Sequence, residues 1–82
     1  MSEGTAGRHL RKRSFTLAGH RTSVALEPEF WAALEAAAAR RGVSLAGLVA
    51  MLDARRTEAA DGMPLASALR VFALREAAAP RG

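Results

Sequence analysis

Arg21-Thr22-Ser23-Val24-Ala25-Leu26-Glu27-Pro28 is the stretch whose reading decides the fold. Thr22, Val24 and Leu26 alternate with Arg21, Ser23 and Ala25, and a period of two in a run of β-branched and aliphatic residues argues for a strand with Val24 and Leu26 on its buried face. The strand must stop at its C-terminal end, because Pro28 pushes Glu27 out of helical geometry and itself suits the first turn of a helix. Upstream, Ser14-Phe15-Thr16-Leu17 alternates in the same way before Ala18-Gly19-His20 interrupts it. A strand cannot stand alone, since its backbone donors and acceptors need partners. Two arrangements meet that need. Phe15 to Leu17 can fold back on Val24 to Leu26 through a turn at Gly19, or Arg21 to Leu26 can pair antiparallel with its copy in a second chain.

Downstream the period changes to that of helices. The first is expected from about Pro28 to Arg41: Glu29 complements the positive helix start, and Arg40-Arg41-Gly42 supplies cations in the last turn and a left-handed stop. Phe30, Leu34, Ala37 and Ala38 form its apolar stripe, with Trp31 at the edge. Ser44 is the expected N-cap of a second helix carrying Leu45, Leu48, Val49 and Leu52 at i, i+3, i+4 and i+7 and running to about Glu58. Gly47 within it costs ~1 kcal/mol relative to alanine, so either a neighbour approaches closely there or the cost goes uncompensated. The breaker cluster Ala60-Asp61-Gly62-Met63-Pro64 separates a third helix with Leu65, Ala68, Leu69 and Phe72 on one face. The expected organisation is a flexible basic arm over 1–13, a core over 14–59, a linker over 60–64 and an appended helix over 65–78.

The chain has 82 residues, half of them hydrophobic, and no cysteine. That is one domain, and below ~80 residues a core seldom supplies more than ~3–5 kcal/mol without disulfides, a metal or a partner. Disulfides and cysteine-based zinc are excluded, and His9 and His20 lie far from any ligand spacing, so no metal or cofactor is expected and association is the expected supplement. The net charge of +4 sits wholly within residues 1–22, where five basic residues face one acid; the remainder balances at seven each. The excess is nearly all arginine, whose planar fork suits phosphates and guanine edges, and this favours a nucleic-acid partner. Arg11-Lys12-Arg13 followed by Ser14 to Leu17 lacks the apolar run of an export signal, and no window suits a membrane span, so a cytoplasmic protein is expected. With no nucleophile–base–acid set and no Gly-rich phosphate loop, an enzyme is not expected.

Arg21 to Leu26, then Glu27-Pro28-Glu29-Phe30-Trp31 with Leu34, then Arg41-Gly42-Val43-Ser44 and Leu45 to Leu52, together resemble the ribbon-helix-helix fold of the Met and Arc repressors and of plasmid copy-number repressors. The Gly19-His20-Arg21-Thr22-Ser23 start and Leu65-Ala66-Ser67-Ala68-Leu69-Arg70 resemble more closely still a bacterial subgroup of unassigned role. The resemblance covers about residues 13–75. It implies a mainly α fold with one short β-strand: an intertwined homodimer whose intermolecular antiparallel ribbon enters the DNA major groove, plus a C-terminal helix.

What it further implies falls on particular residues. Arg21, Ser23 and Ala25 face base edges, while the free N–H groups of Ser44, Leu45 and Ala46 at a helix start clamp phosphate. Arg11, Lys12 and Arg13 in the arm are expected to add phosphate attraction. Val24, Leu26, Phe30, Leu34, Leu48, Val49 and Leu52 are the expected dimer core. Direct readout is thin, because Ala25 offers only a methyl and Arg21 alone can bond guanine twice. The expected function is a small bacterial transcriptional regulator; the alternative is a protein–protein module, antitoxin-like or adaptor, whose third helix binds a target.

Overall fold

The computed structural model describes residues 9–59 and 62–79. Two strands, β1 (Arg11–Leu17) and β2 (His20–Leu26), precede three helices, α1 (Pro28–Arg41), α2 (Leu45–Ala59) and α3 (Leu65–Ala78). The strands pair antiparallel with each other, from Arg11 opposite Leu26 through Ser14 opposite Ser23 to Leu17 opposite His20. Of the two arrangements open to the strand, the chain therefore forms the hairpin. Where one short strand was expected, the chain has two of seven residues each, paired with one another.

The physical reason lies in the turn and in β1's apolar face. Ala18 (φ 52°) and Gly19 (φ 83°) both take left-handed backbone, as a two-residue I′ connection between twisted strands requires. Phe15 and Leu17 are buried, so docking β1 gains apolar burial as well as ladder hydrogen bonds. The strand begins at Arg11, which removes Arg11, Lys12 and Arg13 from the expected arm; residues 1–8 of that arm lie outside the described residues.

The helix boundaries follow their local chemistry. Pro28 opens α1, and Gly42 (φ 68°) closes it with its N–H directed at the Ala38 and Ala39 carbonyls, while Val43 N–H reaches the Ala38 carbonyl at 3.0 Å. Ser44 Oγ accepts from Gly47 N–H at 2.9 Å, the expected N-cap of α2. A Cβ at Gly47 would lie 3.2 Å from that same Ser44 Oγ, so the close neighbour of this glycine is its own helix cap. Of the linker, Ala60 and Asp61 lie outside the described residues.

The hairpin and the three helices share one core. Val24, Leu26, Leu34, Leu48, Val49 and Leu52, expected in a dimer core, are buried within the single chain, joined by Phe15, Leu17, Trp31, Ala37, Ala38, Leu69 and Ala73. Phe30 departs from expectation: it is half-buried at the core's margin, and Trp31, expected at the stripe's edge, takes the interior with 2% exposure. β1 causes the exchange. Trp31 Nε1 donates to the Arg11 carbonyl at 2.8 Å, and its ring lies 6.0 Å from that of Phe15. These core residues come from one chain, with α3 contributing the fully buried Leu69.

Three sets of ion pairs fasten the layers. Arg13 bonds Glu35 and lies 5.0 Å over Trp31, latching β1 to α1. Arg70 reaches Glu27 at 3.1 Å, joining α3 to the β2–α1 junction. Glu76 on α3 receives a two-pronged hydrogen bond from Arg41 (2.9 and 2.8 Å) and another from Arg40 (2.8 Å). Those bonds, Arg41's first and Arg40's second, hold the Glu76 carboxyl down at about 2.

Candidate nucleic-acid interface

The pleat of the hairpin sorts its residues into two faces. Phe15, Leu17, Val24 and Leu26 point into the core. The opposite face presents three cross-strand pairs: Lys12 with Ala25, Ser14 with Ser23, and Thr16 with Arg21. Arg21, Ser23 and Ala25 thus share one face as expected, with Arg21 and Ser23 exposed and Ala25 half-buried. Sequence reasoning placed Lys12 in an arm and assigned no role to Ser14 or Thr16. The signal that would have found them is the alternation Lys12, Ser14, Thr16 against Arg13, Phe15, Leu17, once β1 is accepted as a strand.

The outer face contains two cations, three hydroxyls, a methyl and no acid. Arg21 Nη1 donates to Thr16 Oγ1 at 3.1 Å, which orients the guanidinium and leaves its other donors without a partner among the described residues. Ser14 Oγ and Ser23 Oγ lie 3.0 Å apart in a shared hydrogen bond. At ~3.4 Å per residue, the face runs ~14 Å from Lys12 to the Thr16–Arg21 pair. A two-stranded ribbon fits a B-form major groove ~12 Å wide, where Arg can bond guanine O6 and N7 together. The face therefore has the size, charge and donor chemistry to meet base edges and phosphates.

The other expected contact residues are dispersed. Arg13 is on the inner side of the ribbon, held by Glu35 and Trp31, so its guanidinium is engaged within the fold. Arg11 is exposed at the start of β1, on the face opposite Lys12. Ser44, Leu45 and Ala46 form the start of α2. Gly47 N–H is taken by Ser44 Oγ and Leu48 N–H by the Ser44 carbonyl, leaving the N–H groups of Leu45 and Ala46 without a hydrogen-bond partner among the described residues. The turn end of the hairpin adjoins Ala50, Asp53, Ala54 and Thr57, further along α2, so helix start and hairpin turn are separate patches of one chain. His20 is exposed at the turn, and its side chain has no hydrogen-bond or ion-pair partner among the described residues.

A family model described as a ribbon-helix-helix domain matches residues 10–77. The chain belongs to the ribbon-helix-helix family. No curated protein and no solved structure gave a significant match. In this ribbon-helix-helix chain the matched span takes in both strands and nearly all of α3. Among the described residues no group of His, Cys, Asp or Glu is placed to hold a metal ion, and no helix is long and apolar enough to cross a membrane.

Proposed function

We propose that this protein binds duplex DNA through the outer face of its hairpin and acts as a bacterial transcriptional regulator in the cytoplasm, a binding protein and not an enzyme. The observation that carries the reading is the acid-free face of Lys12, Ser14, Thr16, Arg21, Ser23 and Ala25 on a two-stranded ribbon, in a chain of the ribbon-helix-helix family. Arg21, oriented by Thr16, reads guanine; Ser23 adds a weaker contact and Ala25 meets a thymine methyl. Lys12 and Arg11 attract phosphate, and the N–H groups at Ser44, Leu45 and Ala46 clamp a phosphate at the start of α2.

The protein acts as a homodimer in this reading. The two strands pair within one chain, and a second copy doubles the readout. The need is real, because one bidentate arginine gives only ~1–3 kcal/mol of discrimination. Sequencing the genomic DNA that co-purifies with the protein from cells tests the proposal. Enrichment of sites with two-fold symmetry is expected; uniform genomic coverage would refute sequence-directed regulation, and recovery no greater than from a control lysate would refute DNA binding itself.

A further inference from the structure

The side of the molecule built by α2 and α3 carries a second surface whose chemistry the ribbon does not use. A groove of about 300 Å³ runs between the two helices. Leu52 of α2 and Ala68, Val71 and Phe72 of α3 provide its apolar surface, and Arg55 and Arg75 stand on its two helices as cations. Both arginines are exposed, and neither makes an ion pair or hydrogen bond among the described residues. Their state contrasts with Arg13, Arg40, Arg41 and Arg70, each of which is bonded to an acid. Arg56, also in the lining, is neutralised by Asp53 at 2.8 Å and ties down the Met63 carbonyl at 3.1 Å, so it shapes the groove and leaves the unmatched charge to Arg55 and Arg75. Among the described residues no acid lines the groove. One turn beyond Val71 on α3, Leu74 is 66% exposed and extends the apolar strip outward.

We propose that this groove docks an acidic amphipathic segment of another protein, apolar side chains seated on Leu52, Val71 and Phe72 and carboxylates paired with Arg55 and Arg75. An apolar floor between two cations that have no acidic partner among the described residues matches a peptide that carries both apolar anchors and negative charge, the helix-in-groove mode of recognition. A phosphate backbone would match the arginines and leave the apolar floor unused. Residues 1–8, with one acid and one arginine, and residues 80–82, Pro-Arg-Gly, do not have the composition of such a segment. The inference stands on α2 and α3 alone and is independent of the ribbon's role.

The test uses the full chain and two labelled synthetic amphipathic peptides, both with leucines at i, i+3, i+4 and i+7, one with glutamates and the other with lysines at the remaining positions. Fluorescence anisotropy should show saturable binding of the glutamate peptide and none of the lysine peptide. The double variant Arg55→Glu/Arg75→Glu, which breaks no bond of the fold and should keep the parent's thermal midpoint, should weaken the glutamate peptide by at least about tenfold. Failure of the glutamate peptide to bind, equal binding of both peptides, or unchanged affinity in the double variant each overturns the proposal. So does a loss of duplex DNA affinity or of self-association in that variant that matches its effect on peptide, since the groove would then belong to a DNA or homodimer surface.

Discussion

Replacing Phe15 by alanine tests whether β1 belongs to the core of its own chain. Phe15 is 7% exposed, its ring meets that of Trp31 at 6.0 Å, and it faces the same interior as Val24 and Leu26. Truncating a buried phenylalanine to alanine costs about 3–5 kcal/mol, because transfer energy is lost and a cavity is left. At ~0.05–0.15 kcal/mol per residue, a chain of this length has roughly 4–12 kcal/mol in total, so the substitution removes a large share of it. With a urea slope of roughly 1–1.5 kcal/mol/M for so small a domain, the unfolding midpoint should fall by about 2–5 M. Trp31 is the chain's single tryptophan and touches Phe15, so its fluorescence follows the transition without ambiguity. A loss within ~0.5 kcal/mol, the scale of ordinary surface substitutions, would mean that β1 does not dock and that the hairpin argument is mistaken.

Other consequences follow from single contacts. Ala18→Asn places a residue tolerant of left-handed backbone before Gly19 and should raise the thermal midpoint by about 2–6 °C, for a gain of ~0.5–1 kcal/mol; an unchanged or lowered midpoint in calorimetry would contradict the turn geometry. Ser44→Ala removes the acceptor of Gly47 N–H and should cost ~1 kcal/mol in chemical denaturation, whereas a neutral result would deny the cap. Glu76 has its carboxyl held at about 2 by Arg41 and then Arg40. A depressed folded-state value contributes stability above the unfolded value near 4.5, and that contribution is lost as pH falls toward 2. Glu76→Gln should therefore flatten the acid limb of the stability curve between those pH values, and parallel curves for variant and parent would count against the Arg–Glu clamp.

The fold was legible wherever local chemistry decides it. Pro28, Gly42 and Ser44 mark boundaries by backbone geometry and capping, and α1 starts and ends where those residues require. What escaped was long-range. On α1, Leu34 belongs both to the stripe through Phe30 and Ala37 and to that through Trp31 and Ala38, and helical period alone does not separate them. The choice is made by β1, which arrives on Trp31's side with Phe15 and the Arg11 carbonyl. Similarly, alternation in Ser14 to Leu17 was visible, but the three basic residues before it read as a solvated arm, and only pairing with β2 turns Lys12 outward and Arg13 inward. Ala73 carried no signal strong enough to mark it as core, yet α3 buries it beside Leu69.

The expected base-contact face was likewise half readable. Arg21, Ser23 and Ala25 lie on the outer side because Val24 and Leu26 must be inside, a consequence of the strand's period. The hydroxyls of Ser14 and Thr16, which bond Ser23 and Arg21, come from the pairing register and not from either strand's own pattern.

The most direct test of the ribbon as a DNA-binding face is duplex affinity measured across a salt titration, for the parent chain and for Lys12→Ala/Arg21→Ala. The parent should bind more tightly than ~10⁻⁴ M at physiological salt, with log affinity falling by ~0.9 per log unit of salt for each phosphate neutralised. The double variant should bind more weakly and with a shallower slope, while keeping its fold because both side chains are exposed. Duplex binding no tighter than that limit in the parent, or affinity and slope unaltered in the variant, would contradict the account.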